Sequence, residues 1–156
     1  MQNRLETLRE EIEKLIKLHQ PGNMRYFISH LFGVSYFCIL LALRRGLDAE
    51  LAATCGMLHD IYQVVPGIIE NHAEEGAKQA KIFLKEMNLY NDDEIEIITT
   101  AISKHSKKRK THGDYDELLK DADVLSHCLY NPDFPIIEKE MQRHKNLLKE
   151  LNIGKG

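Results

Sequence analysis

An adjacent histidine and aspartate, His59 and Asp60, end an apolar helical run and are the first residues that suggest chemistry. Leu51, Cys55 and Leu58 recur at helical spacing before them, so the run packs one face inward and delivers the pair to a buried position. A carboxylate buried without compensation costs several kcal/mol. We therefore expect hydrogen-bond donors, a cationic side chain or a metal ion beside Asp60.

Further histidines and aspartates at helical positions can complete such a site. His30 shares an inward face with Val34 and Leu41 of its own helix. Asp121 and Asp123 border the apolar stripe of a later helix about equally, so periodicity does not choose between them. A single inward histidine is more often a hydrogen-bonded core residue than a ligand. Together, however, these groups on three helices form the ligand set that a hard or borderline divalent cation needs.

Helices must position these groups, and the sequence predicts six to seven of them with no convincing strand. The first three run from about Asn3 to His19, from Met24 to Arg45 and from a cap at Asp48 to the His59–Asp60 pair. Three more begin at the capping pairs Asn71–Glu74, Asn91–Glu94 and Asp114–Glu117, and the last runs from Pro135 to about Leu151. Turns are expected at Pro21-Gly22, Pro66-Gly67 and Asn131-Pro132. We therefore predict an all-α helical bundle.

The length and charge of the chain limit its class. Its 156 residues fit one domain, residues 1–156, in which a core at about 24–129 carries the site and helices 3–19 and 133–151 flank it. The amphipathic flanking helices could also pack on a second copy, so a homodimer is a possible assembly. A net charge of -3 provides no field that gathers nucleic acid or an anionic membrane. We expect neither as a partner.

Cysteine usage and hydropathy indicate the compartment. Cys38, Cys55 and Cys128 lie in or beside apolar helical patterns at spacings that match no zinc or redox motif. The apolar stretch 31–43 is too short to cross a bilayer, and the charged N-terminus lacks the apolar segment of a signal peptide. The sequence therefore predicts buried thiols in a reducing compartment and a cytoplasmic protein.

Four of these positions, in order, resemble the HD-domain superfamily of metal-dependent phosphohydrolases. The family pattern has an early His, an adjacent His-Asp pair and a late Asp within an Ala-Asp-x-Leu-like segment. Here these are His30 in Ser-His-Leu, His59 and Asp60 in Met-Leu-His-Asp-Ile, and Asp123 in Asp-Ala-Asp-Val-Leu. The resemblance covers about residues 24–129 and favours Asp123 over Asp121. It implies an all-helical fold and a divalent ion, Mn2+, Mg2+, Fe2+, Co2+, Ni2+ or Zn2+, on these four residues.

The resemblance also assigns roles to residues around the ligands. His72 and His105 match positions that bind a second metal in some branches and the substrate phosphate in others. His127, one turn after Asp123, is a candidate substrate group. Many relatives have Glu or Lys three residues after the His-Asp pair, whereas this chain has Gln63. A glutamine can position water or a phosphate oxygen but cannot exchange a proton near neutral pH.

The function implied by the resemblance is metal-assisted hydrolysis of a small phosphoester, with a nucleotide favoured as substrate. Asp60 and Gln63 would serve the reaction. A basic cluster would attract the anionic substrate, together with Arg25 near His30; its members are Lys104, Lys107, Lys108, Arg109 and Lys110. No aromatic pair at a recognisable spacing indicates a base-binding slot, and Tyr26 is interpreted as packing.

Two other classes of function fit the same residues. In one, an HD-like domain binds a nucleotide or a protein as a regulator, and Gln63 marks the loss of turnover. In the other, the histidines and aspartates are structural parts of a helical scaffold. Metal content and metal-dependent turnover distinguish the three hypotheses.

Overall fold

The computed structural model describes residues 3–20, 22–64 and 70–154, and within these ranges the chain is helical without strands. The helices are α1 (Arg4–His19), α2 (Met24–Arg45), α3 (Ala49–Leu58), α4 (His72–Met87), α5 (Asp92–Lys104), α6 (Asp114–Tyr130) and α7 (Glu138–Glu150), with a 3-10 turn at Ile61–Val64. The predicted all-α fold with six to seven helices is confirmed. Pro21, Pro66 and Gly67 lie outside the described residues.

Two of the predicted helix starts have the expected caps. The Asp48 carboxylate accepts a hydrogen bond from the backbone N–H of Leu51 at 2.8 Å. Asn91 and Glu94 form a reciprocal capping box, in which each side chain accepts the other residue's backbone N–H at 2.9 Å. These caps satisfy backbone donors that the first turn of a helix leaves unpaired, and they fix where α3 and α5 begin.

Two predicted capping pairs differ from the structure. Asn71 adopts a left-handed conformation (φ 51°) and its side chain makes no cap hydrogen bond. At α6 the cap residue is Gly113, whose N–H donates to Asp116, so Asp114 and Glu117 are not the capping pair. In both cases the sequence pattern correctly indicated a helix. The path of the preceding loop in the folded protein, however, set the backbone angles of the cap residue.

The last helix begins at Glu138, three residues after the predicted start at Pro135. Before it, the backbone N–H of Asp133 donates to the Asn131 side chain, and that of Phe134 donates to the Asn131 carbonyl. This turn at Asn131 holds the chain out of a helix, so residues 131–137 form an extended connection between α6 and α7.

Helices α2 and α3 approach most closely where Gly56 faces Ser35. A Cβ on Gly56 would lie 2.7 Å from Ser35 Cα, too near for any other residue without movement of the backbone. The Ser35 hydroxyl donates to the Ala53 carbonyl at 3.1 Å across the same contact. Because the two backbones touch here, His59, which follows α3, lies beside His30 of α2.

Helix α2 lies at the centre and packs against α3 and α6. Among the described helices it is the one long and apolar enough, by length and composition, to cross a membrane, and its 22 residues exceed the apolar stretch 31–43. One face of α2, including His30, is buried in the core. The core helix of a globular domain can have the same length and apolar composition as a membrane span. Its composition therefore does not by itself indicate a membrane span.

Candidate metal centre

The structure brings together the four side chains that the sequence proposed as metal ligands. The two Nε2 atoms of His30, on α2, and His59, after α3, are 3.1 Å apart. Asp123 Oδ1, from α6, lies 3.2 Å from His30 Nε2 and 3.8 Å from His59 Nε2. Asp60 Oδ2 lies 3.7 Å and 3.5 Å from the same two nitrogens. Four donor atoms from three segments of the chain therefore converge on one point.

These separations fit a shared cation. Two ligand atoms bound about 2.1 Å from one ion lie about 3.0 Å apart at right angles and about 3.4 Å apart in a tetrahedron. The distances that join the two imidazole nitrogens to each other and to the carboxylate oxygens, 3.1 to 3.8 Å, are close to both values. Two imidazoles and two carboxylates suit a borderline or hard divalent ion. The arrangement could therefore hold one such ion with little movement.

Backbone carbonyls orient two of the imidazoles. His59 Nδ1 lies 2.7 Å from the Gly56 carbonyl and His105 Nδ1 lies 2.7 Å from the Ile102 carbonyl. A carbonyl only accepts, so each Nδ1 carries the proton and each Nε2 keeps its lone pair toward the cluster. This is the tautomer and orientation that a metal-binding histidine requires.

The charges of the cluster also suit a cation. Burial lowers the pKa of His59, so its imidazole is neutral near neutral pH. Burial alone would raise the pKa of Asp123, but the positive charge of Lys108 and the neighbouring histidines together outweigh it and hold that pKa well below its usual value. Asp123 Oδ1 is buried without a hydrogen bond of acceptable geometry from the described residues. A buried carboxylate oxygen of this kind needs a partner, and a metal ion supplies one.

The structure distinguishes the two aspartates that periodicity left open. Asp123 lies in the histidine cluster, whereas Asp121 accepts from the Arg45 guanidinium at 2.7 Å and from that of Arg143 at 3.0 Å. Both oxygens of Asp121 are therefore engaged in ion pairs on another side of α6. This placement agrees with the position that the family pattern favours.

The two histidines considered for a second metal lie at different depths. His105 is buried, and its Nε2 is 3.7 Å from Asp60 Oδ1, so it adjoins the first cluster. His72, the first residue of α4, is half-buried with its ring centroid 4.9 Å from that of Tyr62 and 6.0 Å from that of His105. His105 is placed to contact the site directly, and His72 lines its opening.

Of the six basic residues proposed to attract the substrate, only Lys108 lines the cleft in the structure. Its ammonium is buried, and it donates to Asp123 Oδ2 and to the His105 carbonyl. Lys104 instead pairs with Asp116 at 3.1 Å. Arg25 is exposed on α2 and does not line the cleft over the cluster. Lys108 is thus an internal counter-charge of the cluster, whereas the sequence placed it in a solvated basic loop.

His127, near the end of α6, lies at the edge of the cluster and contacts the start of α7. His127 Nδ1 donates to Glu140 at 3.1 Å, and its Nε2 lies 3.4 Å from Asp123 Oδ1. Its ring stacks on that of His30 with centroids 4.8 Å apart. Burial lowers the pKa of His127, but the Glu140 hydrogen bond and the Asp123 charge outweigh it and raise that pKa overall.

Sequence reasoning missed two residues that support the cluster. Glu140 is buried beneath His127, and Ser126 Oγ lies 3.1 Å from His30 Nδ1. Ser126 follows Asp123 by three residues, so helical spacing could have indicated it. Glu140 lies on a helix whose predicted start was wrong, and its pattern is that of an exposed residue.

Gln63 contacts the cluster through Asp60. Its amide nitrogen donates to Asp60 Oδ2 at 2.8 Å, from the 3-10 turn that follows α3. The backbone N–H of Gln63 also donates to the Asp60 carbonyl at 3.0 Å. Gln63 is exposed and does not line the cleft, so the contact that the structure gives it is with the carboxylate of Asp60.

A cleft of about 200 Å³ opens over these groups. Its lining includes Asp60, His72, His105, Lys108 and Asp123, with Glu140 and His127 at one end. Oxygen, nitrogen and ammonium groups dominate this surface, which suits a small anion better than an apolar ligand.

Comparison with known proteins agrees with this geometry. A sequence model of the HD domain family matches residues 27–127. The chain is 30% identical over 151 residues to Ribonuclease Y of Clostridium tetani and 28% identical over 151 residues to that of Clostridium kluyveri, covering 92% of this chain and 27% of each relative. It is 32% identical over 99 residues to Ribonuclease Y of Chlorobium phaeovibrioides, covering 64% of this chain and 17% of the relative.

The chain thus spans about a quarter, or less, of the length of these relatives, and the similarity concerns that part alone. No solved structure gives a significant match. The family match spans most of the chain and includes His30, His59, Asp60 and Asp123, whose donor atoms lie close to the two imidazoles of the cluster in the structure. The chain therefore belongs to the HD-domain family, a superfamily of metal-dependent phosphohydrolases.

Proposed function

We propose that this protein hydrolyses a small phosphoester with the help of a divalent metal ion, and that the substrate is a nucleotide. The observation that carries the proposal is the convergence of two imidazole nitrogens and two carboxylate oxygens at 3.1 to 3.8 Å, with Asp123 Oδ1 buried and unsatisfied. Membership of the HD-domain family supports the same chemistry.

In this proposal His30, His59, Asp60 and Asp123 hold the ion. A metal ion held there would lower the pKa of a bound water and would neutralise charge that develops on the phosphoryl group. The Asp60 carboxylate orients the attacking water, and the Gln63 amide keeps that carboxylate in place through its 2.8 Å hydrogen bond. Gln63 itself holds no transferable proton near neutral pH, so it acts here as a positioning residue.

Lys108 and His127 meet the charge of the phosphate in this proposal. Both line the cleft and both contact Asp123, so a phosphoryl group bound there is within reach of their N–H donors. Charge-assisted hydrogen bonds of this kind are shorter and stronger than neutral ones. His105 and His72 provide further donors or ligands toward the opening of the cleft.

The test combines metal analysis with turnover. The purified protein is loaded with Mn2+, Co2+, Ni2+ or Mg2+, and hydrolysis of a chromogenic phosphomonoester and phosphodiester is measured for the natural protein and for Asp60→Ala. We expect stoichiometric metal and metal-dependent turnover that falls by about 1,000-fold in the variant, because the metal supplies several kcal/mol. Absence of both metal binding and metal-dependent stabilisation would leave a helical scaffold.

A regulatory domain is the second candidate, and Gln63 is the observation that favours it. The family resemblance leads us to expect a proton-exchanging Glu or a phosphate-binding Lys at this position, whereas Gln63 donates to Asp60 and does not line the cleft. Stoichiometric metal binding without turnover of any nucleotide, together with nucleotide binding, would support this candidate over the enzyme.

The names of the relatives raise a third candidate, cleavage of an RNA phosphodiester. The chain matches about a quarter of those proteins, and its net charge of -3 provides little general attraction for a polyanion. A labelled oligoribonucleotide, compared with a nucleoside monophosphate under the same metal, separates the two substrates. Faster cleavage of the oligonucleotide would replace the small-nucleotide proposal.

A further inference from the structure

An aromatic cavity of about 270 Å³ lies beside the metal centre, between the first turns of α2, the end of α6 and the segment before α7. Its lining residues are mainly apolar: Tyr26, His127, Cys128, Tyr130, Phe134, Pro135, Ile136, Ile137 and Glu140. Residues from three separate parts of the chain form it, so the sequence pattern gave no sign of it.

The cavity adjoins the cleft over the metal centre. His127, Ile137 and Glu140 line both. The His127 ring stacks on His30, one of the candidate ligands, at 4.8 Å with only 6° between the ring planes. A molecule with a ring system in the cavity and an anionic group in the cleft would therefore lie against His127, which lines both.

The walls of the cavity are flat and accessible. Tyr26 and Tyr130 contact each other edge to face, with ring centroids 4.9 Å apart. Phe134 is 59% exposed and Ile137 is 49% exposed, so both present apolar surface to solvent at the rim. Aromatic rings of this kind bind planar ring systems by stacking, and every nucleobase has such a face.

Charge and size indicate the orientation of the occupant. Glu140 lines both spaces, whereas the Lys108 ammonium lines only the cleft, so a phosphate is favoured over Lys108 and the cavity is left to the uncharged part of the occupant. Carboxylate oxygens accept from ring N–H and amino groups, which nucleobases carry. The volume is just below the usual range of small-ligand pockets, which suits one ring system better than a long chain.

We propose that this cavity binds the base of a nucleotide whose phosphate lies on the metal centre. Tyr130 and Phe134 form the stacking surface, and Glu140 accepts from polar edges of the base. This inference rests on the proposed function, since it places the two parts of one substrate. Tyr26 packs on Tyr130, as the sequence predicts, and also lines the cavity.

The experiment uses 2-aminopurine riboside, a fluorescent nucleoside without phosphate, and the intact chain with and without Mn2+. Stacking quenches its fluorescence, and the protein contains no tryptophan to interfere. We expect saturable quenching that Phe134→Ala weakens by about tenfold, as loss of one stacking ring does. Phe134→Tyr keeps a ring at the position and should retain binding. Tyr36→Ala, an exposed aromatic of α2 outside the cavity, is the matched control.

Kinetics provide a second readout. Phe134→Ala should raise KM for a nucleoside monophosphate by about tenfold and leave hydrolysis of methyl phosphate, which has no base, unchanged. Methyl phosphate hydrolysis without nucleoside binding, or with equal binding by Phe134→Ala, would overturn the base site while the phosphohydrolase stands. Nucleoside binding that Phe134→Ala weakens, without any metal-dependent hydrolysis, would overturn the proposed function and leave the base site.

Discussion

Two aspartates of α6, Asp121 and Asp123, are both buried but differ in the groups around them. Asp121 offers each of its oxygens to a guanidinium, that of Arg45 at 2.7 Å and that of Arg143 at 3.0 Å. Asp123 offers one oxygen to Lys108, and its other oxygen lies among imidazoles without a hydrogen bond from the described residues. Residues two apart on a helix point about 200° apart, so they meet different neighbours.

The comparison separates a structural carboxylate from a functional one. A guanidinium is permanently charged and has no lone pair to offer a metal, so the group around Asp121 is complete as it stands. The imidazoles near Asp123 include His59, which burial keeps neutral with its Nε2 lone pair toward the carboxylate. A buried anion with one oxygen left unsatisfied costs stability, and such costs occur at sites that bind something.

Hydrogen bonds also link the surroundings of Asp121 to those of Asp123. Arg143 donates from Nε to the Lys108 carbonyl at 2.7 Å as well as to Asp121. The buried Lys120 ammonium donates to the Lys110 carbonyl at 2.8 Å. These bonds fix the backbone of the loop between α5 and α6, so the Lys108 side chain turns inward to Asp123. The structural network therefore positions a residue of the site.

The largest expected effect is that of Asp123→Asn. Natural protein with Mn2+ at a hundred times its Kd should gain about 2.7 kcal/mol in the free energy of unfolding. We expect an affinity at least about 100-fold weaker for the variant, and therefore less than about 1 kcal/mol of stabilisation at the same concentration. Urea unfolding with and without metal measures this. Equal stabilisation of the variant would show that Asp123 is not a ligand.

Asp121→Asn should lower the stability of the protein and leave its metal binding unchanged. It removes a charged acceptor from two arginines, each of which keeps a second carboxylate partner, Glu150 or Glu117. We expect the free energy of unfolding to fall by about 2 kcal/mol, with metal stoichiometry unchanged. Urea unfolding and metal analysis test both parts, with the exposed Asp133→Asn as control. A loss of metal here would remove the distinction between the two aspartates.

Lys108→Met tests the counter-charge of Asp123. The ammonium and a metal ion compete for the same carboxylate, so the variant should bind Mn2+ about tenfold more tightly. Calorimetric titration measures the affinity, and Lys107→Met, a change at the neighbouring, more exposed lysine, serves as control. Unchanged or weaker Mn2+ binding would mean that Lys108 does not compete with the metal ion and instead supports the metal ligands.

The smallest expected effect is that of Gln63→Ala. It removes one hydrogen bond to Asp60 at an exposed position, worth about 1 kcal/mol, so kcat should fall roughly fivefold with metal content unchanged. Gln142→Ala, which removes an exposed amide on α7, is the control for kinetic assays. A fall of several hundredfold would assign Gln63 a direct part in the reaction.

The sequence predicted the helices well because their signals are local. Apolar spacing and side-chain caps such as those at Asp48 and Asn91 depend on residues within one or two turns. Local signals were insufficient at Asn71 and Pro135, where the neighbouring loop sets the backbone. The inward position of Lys108 was also missed, because contacts from residues 12 to 35 positions away hold its loop.

The sequence by itself determined the all-α fold and the candidate ligands, which are His30, His59, Asp60 and Asp123. Helical spacing and the ordered family pattern are both properties of the sequence alone. The tertiary structure alone decided that their donor atoms converge, that Lys108 neutralises Asp123, and that an aromatic cavity adjoins the site. Convergence depends on backbones touching at Gly56 and Ser35 and on three helices crossing at set distances. Such contacts join residues that are far apart in the sequence, and the spacing of residues along the chain does not encode them.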